Sequence, residues 1–184
     1  MKKKLKIEKG TVIAAFIVSV WVCVTLYLLG LLQYSSTWPA FMPFVLFAVG
    51  GWKTNQLRNI FTGSISGILL GAIALKSINY LVGGTGIYYM YMVPIFVIVF
   101  LIISLGEVLP MIFNNYAFCY YTIAFASQKQ ETFEWIQVSL LGGIFYTGGL
   151  ILFFRLFLKG GPIDQSVEKP VEKLVENPEQ ITGI

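Results

Sequence analysis

Residues 60–81 read IFTGSISGILLGAIALKSINYL. Apart from Lys76 the run holds no charge, and at about 1.5 Å of rise per residue it is long enough to cross a hydrocarbon core of about 30 Å. The run therefore predicts a transmembrane helix. Gly63, Gly67 and Gly71 recur every fourth residue, so they form a stripe on one helix face. Small residues let a neighbouring backbone come close, which matters because lipid gives no hydrophobic drive for helix association. Ser64 and Ser66 add small polar groups nearby. The fold class that follows is an all-α, polytopic integral membrane bundle.

Five further apolar runs flank this one, at 11–32, 39–52, 88–108, 111–126 and 135–158. Together they predict six transmembrane helices. The composition agrees, because 57% of the 184 residues are hydrophobic and 12% are charged, whereas a soluble domain carries about 25% charged residues. The chain divides into a basic start over 1–10, a transmembrane domain over 11–158 and an acidic, flexible tail over 159–184. Two runs are short for a full crossing. Pro39 and Pro43 constrain the beginning of 39–52, and Pro110 precedes 111–126. These two are read either as complete crossings or as broken, re-entrant helices. The order long, short, glycine-rich occurs twice, which suggests a 3+3 repeat. With three spans in each half, such a repeat is inverted in the membrane.

Charge placement separates the topologies. With six crossings and the N-terminus in the cytoplasm, eleven of the thirteen Lys and Arg residues lie inside, including Lys53 and Arg58. Only Lys76 and Lys129 fall outside. A four-crossing arrangement puts Lys53 and Arg58 outside, so the positive-inside rule favours six, with both ends cytoplasmic. The lysines at 2, 3, 4, 6 and 9 directly precede an apolar span, so they read as a membrane flank rather than as a nucleic-acid site.

The chain has no histidine, which removes the usual general base and the commonest nitrogen ligand for a metal. No paired carboxylate lies inside the spans, and GGTG at 83–86 lacks the lysine and the strand–helix setting of a phosphate loop. No enzyme, metal or cofactor is expected. Cys23 and Cys119 each sit in an apolar run and read as buried small hydrophobes.

The most informative polar cluster is SLGEVLPMIFNN at 104–115. Glu107 lies at a membrane boundary, while Asn114 and Asn115 lie about a turn into the fifth span. Polar groups at that depth must be paired, hydrated or turned to the bundle interior. One reading makes Glu107 an interfacial anchor and the asparagines caps or interhelical glue. The other makes the stretch a polar vestibule where helix continuity breaks. Tyr116 and Tyr120, four apart, share a face and with Phe113 form an aromatic wall along a pathway, or else core packing. In the sixth span Ser139 and Gly143 repeat the small-residue spacing, and helix packing is their expected role. Trp38, Trp52 and Trp135 fall near predicted boundaries, as interfacial aromatic residues do.

FAVGGWKTNQLRNIFTGSISGILLG at 47–71 and VLPMIFNNYAFCYYTIAFA at 108–126 resemble the small bacterial inner-membrane proteins grouped as domain of unknown function 1097. The resemblance covers residues 11–158 and implies the inner membrane of a bacterium; it adds little about substrate. The functional expectation is a small channel or transporter for an unidentified small solute, with the lipid bilayer and further copies of the chain as its expected partners. The alternative is a non-transporting subunit that docks a partner through its glycine-rich faces.

Overall fold

The structure, a computed structural model, describes residues 9–128 and 131–157. The charges expected at positions 2–6, at Lys129 and along the tail lie outside the described residues. Six α-helices follow one another: α1 (Lys9–Leu31), α2 (Trp38–Val49), α3 (Leu57–Thr85), α4 (Met92–Leu105), α5 (Asn115–Ala126) and α6 (Thr132–Phe157). Short 3₁₀ turns, Thr54–Gln56 and Tyr88–Tyr91, lead into α3 and α4. Among the described residues there is no strand. The segments Thr54–Thr85, Tyr88–Leu105 and Thr132–Arg155 are long and apolar enough to cross a membrane. This is a membrane protein.

The two proline-led runs are helical but half-length. α2 and α5 have 12 residues each, and so rise only about 18 Å. One boundary differs from the sequence expectation. The span read from the sequence ends at residue 81, before the glycines of VGGTGIYY at 82–89, yet α3 continues through Gly83 and Gly84 to Thr85. A glycine costs about 1 kcal/mol in a helix interior, too little to stop a helix this long. Gly86 ends it instead, at a φ of 67° that favours glycine.

Packing crosses between the halves. α5 lies along α3, α2 lies along α6, and α3 meets α6 between them. α1 rests on α6 and α4 on α3. Exchanging α1, α2 and α3 for α4, α5 and α6 therefore reproduces the main pairings. Each half-length helix is held by the glycine-bearing helix of the opposite half. α2 also touches α3.

The glycine stripe is what α5 packs on. A Cβ on Gly67 would come within 2.6 Å of the Tyr120 Cβ and would collide with the Ala117 carbonyl oxygen. On Gly63 it would meet Asn114 Oδ1 at 2.6 Å, and on Gly71 the Ala124 Cβ at 2.8 Å. α6 approaches α2 in the same way: a Cβ on Gly143 would meet Pro43 Cγ at 2.8 Å, and one on Gly142 would collide with Ala40.

A buried hydroxyl chain ties four helices together. Ser139 Oγ donates to Ser64 Oγ at 3.0 Å, and the Tyr120 hydroxyl lies 3.3 Å from Ser139 Oγ and 3.2 Å from the Pro39 carbonyl oxygen. Ser64 Oγ in turn donates to the Phe61 carbonyl at 2.7 Å. The partner of the Pro39 carbonyl in a regular helix is the N–H four residues on, and residue 43 is a proline without one. Tyr120, from α5, meets that bare carbonyl.

The connections gather at two ends. Ser35, between α1 and α2, donates through its backbone N–H to Glu134 at 2.6 Å and through its hydroxyl lies 2.6 Å from Glu131, just before α6. At the other end, Thr62 donates to the Met111 carbonyl at 2.6 Å, and Arg58 lies against the Met111 sulfur. The tryptophans expected at membrane boundaries turn inward. Trp135 is buried edge-on against Trp38, and half-buried Trp52 packs on Phe44, Phe47 and Phe154. Aromatic contact outweighs the interfacial preference here. Trp52 holds a φ of 62° directly after Gly51 at 74°, a conformation uncommon for a bulky residue. Cys23 is exposed on α1 and Cys119 is partly exposed, so neither is the buried hydrophobe expected.

Gly67→Leu should remove most folded protein, because overpacking a tight contact costs about 1–3 kcal/mol or more. Gly83→Ala faces open space on the same helix and should leave stability unchanged or raise it by up to about 1 kcal/mol. Tyr120→Phe should cost about 1–3 kcal/mol, since it strands buried partners. Thermal melts in detergent read all three.

Candidate functional site

Half-length helices leave depth unfilled, and the unfilled depth is a cleft. It has a volume of about 910 Å³ and lies where α2 ends and α5 begins. Leu46, Val49 and Gly50 come from the end of α2, and Gln56 from the turn before α3. Ile102, Ile103 and Gly106 come from the end of α4. Pro110 and Phe113 come from the α4–α5 connection, and Asn115, Tyr116, Phe118 and Cys119 from the first turns of α5. The cleft opens at the surface, because its walls include Val49 and Ile103, which are 81% and 69% exposed.

The start of α5 is fixed by Asn114, the last of the connection's lining residues. This residue is the N-cap: its backbone is extended and its Oδ1 accepts from the Ala117 N–H at 2.9 Å. Its Nδ2 donates towards three carbonyl oxygens, those of Pro110 at 3.0 Å, Met111 at 3.1 Å and Asn59 at 3.3 Å. Both ends of the side-chain amide are thus committed to backbone. Ser66 adds a further tie by donating to the Ile112 carbonyl at 2.7 Å. The irregular chain between α4 and α5 is stitched to α3 by Thr62, Ser66 and Asn114, and the bare Cα of Gly63 leaves space for the cap.

Across the cleft, Gln56 and Tyr116 meet. The Tyr116 hydroxyl donates to Gln56 Oε1 at 2.6 Å. That oxygen stands where a Cβ on Gly50 would be, so the glycine lets the Gln56 side chain fold back over the end of α2. Asn115 is exposed on the cleft wall, and its side chain makes no hydrogen bond among the described residues.

The residues singled out in the sequence separate into three groups. Asn114, Asn115 and Tyr116 line the cleft. Glu107 is exposed and is not part of the lining, although its neighbour Gly106 is. Tyr120 does not line it either; it is fully buried in the hydroxyl chain, so of the three residues expected to form an aromatic wall only Phe113 and Tyr116 reach the cleft. Gly63, Gly67, Gly71, Ser139 and Gly143 pack helices within the chain. Gln56 and Cys119 also line the cleft. Gln56 follows the Gly50–Gly51 pair, where the sequence allows either a polar group beside a helix break or an ordinary loop, and nothing in an apolar run marks which face Cys119 takes.

The family described as Protein of unknown function (DUF1097) matches residues 11–154, and the chain belongs to it. No curated protein matches the chain, and no solved structure does.

Asn114→Ala should lower stability by about 1–2 kcal/mol, the value of an N-cap. Asn115→Ala, one residue on, should stay within about 0.5 kcal/mol of the parent, as exposed substitutions do. Parallel detergent melts of the two variants separate the residue that builds the cleft from the one that only lines it.

Proposed function

We propose that this member of the DUF1097 family is a small integral membrane channel or transporter and that the cleft is where it takes up its solute. The observation that carries the reading is the meeting of two helix breaks in one cleft. α2 ends there at Gly50 and α5 begins there at Asn115. In membrane transporters, discontinuous helices are tolerated where the irregular backbone lines a cavity, and such breaks form the substrate sites. The connections around this cleft have their polar groups met by Thr62, Ser66 and Asn114 rather than by lipid.

The topology we propose has six crossings, both ends in the cytoplasm and the inner membrane of a bacterium as its place. Two observations support it. The α1–α2 connection meets the start of α6, and the first turns of α3 meet the α4–α5 connection, as alternating crossings require. Lys53 and Arg58 then mark the cytoplasmic end. The reading assigns the chain no chemical reaction.

The alternative of a docking subunit drew on the glycine-rich faces. Those of Gly63, Gly67 and Gly71 are covered by α5, those of Gly142 and Gly143 by α2 and Phe61, and Gly149 by Trp21. A partner or a second copy would meet other exposed apolar sides instead, such as those of α1 and α4, where Phe16, Val20, Phe96 and Phe100 are exposed.

Swelling of proteoliposomes in a panel of small solutes tests the proposal. Flux above that of protein-free vesicles should appear for at least one solute. Asn115→Leu should cut it several-fold with insertion and melting temperature retained. Flux equal to the empty vesicles, or indifferent to Asn115→Leu, would count against a solute site in this cleft.

A further inference from the structure

We infer that the cleft selects an uncharged solute, one that combines an apolar part with a single hydrogen-bonding group such as an amide, carbonyl or hydroxyl. The inference rests on the reading of the cleft as the solute site and adds to it the class of molecule. It is drawn from what the walls hold and from what they have already committed.

None of the residues that line the cleft carries a charge. The charged side chains at this end, Lys53, Arg58 and Glu107, are exposed and outside the lining. An ion entering would lose water and meet no opposite charge, and burying an unpaired charge is far costlier than burying a neutral polar group. The walls are mostly hydrocarbon, from Val49, Ile102, Ile103, Phe113 and Phe118, so an apolar portion of the solute is favoured there.

The polar groups are few, and most are occupied. Asn114 is spent on backbone carbonyls and on the Ala117 N–H. The Tyr116 hydroxyl is spent on Gln56 Oε1. What remains is the Nε2 donor of Gln56 and the side-chain amide of Asn115, which offers a donor and an acceptor. Two such amides, one from the turn before α3 and one from the first turn of α5, suit a neutral group that accepts one hydrogen bond and donates another. The first turn of α5 also faces the cleft, and its partial positive charge favours anions. That effect is about half a charge at an exposed helix end, and part of its N–H capacity is already taken by the cap, so it is the weaker influence. Anions are therefore the more demanding half of the test.

Matched pairs that differ only in charge provide it. The full-length Cys23→Ser protein in detergent carries one remaining thiol, Cys119, in the cleft wall. Its rate of labelling by N-ethylmaleimide is measured with acetamide against acetate and with tert-butanol against tetramethylammonium, each at one concentration and one ionic strength. The neutral member of each pair should slow labelling several-fold more than the charged member. Asn115→Asp places a carboxylate in the wall and should reverse the tert-butanol–tetramethylammonium order. Equal protection, or stronger protection by acetate or tetramethylammonium in the parent, overturns the inference while leaving the cleft as a solute site. Protection by none of the four removes the cleft as a solute site, and the inference goes with it.

Discussion

Everything in this fold depends on how closely α5 can approach α3. Lipid is as apolar as the helices it surrounds, so association needs contacts that lipid cannot imitate, and backbone approach over small residues provides them. Gly63, Gly67 and Gly71 remove the side chains that would stand in the way, and the α5 backbone from Asn114 to Ala124 fills the space. The same solution is used by Gly142 and Gly143 for α2. Because each half-length helix is seated on the other half's glycine helix, neither half holds its short helix by itself. The two halves have to be assembled together.

Short helices also create an account of polar groups that must close. A regular crossing helix satisfies its own backbone, but α2 contains a proline and both α2 and α5 stop partway. The freed carbonyls find hydroxyl and amide donors from other helices. Tyr120 meets Pro39, Thr62 meets Met111, Ser66 meets Ile112, and Asn114 meets three carbonyls at once. Three of these four donors serve the rim of the cleft. The polar residues that looked available for a solute are therefore divided between those that build the opening and those left over to face it. Asn114 belongs to the first kind and Asn115 to the second, although they are adjacent in the chain. An N-cap residue stands outside the helix and turns its side chain back onto the first turn, whereas the next residue is already helical and points away.

Several assignments were legible from the chain alone for clear reasons. Length and apolarity set the number of helices, and the interval of four put the glycines on one face. The half-length of the 39–52 and 111–126 runs and the prolines at their starts marked the places where continuity fails. The Gly83–Gly84 pair misled, because an exposed helix end tolerates glycine and the stop signal was the left-handed Gly86 beyond it. Trp52 and Trp135 misled because an aromatic side chain near a boundary is served as well by ring contacts inside the bundle as by the headgroup layer.

The sequence by itself determined that this is a helical membrane protein with glycine-lined packing faces and two short, proline-led spans, since hydropathy, length and period are local properties. Only the tertiary structure decided what the glycine faces pack on. Partner choice depends on residues far apart in the chain, 81 positions for Pro39 and Tyr120 and 125 for Trp21 and Tyr146, and no local pattern records it. The same holds for the cleft: Gln56 and Tyr116 face each other across it because two separate helix breaks were brought to one place, and that juxtaposition exists only once α2 and α5 have each been seated on the opposite half.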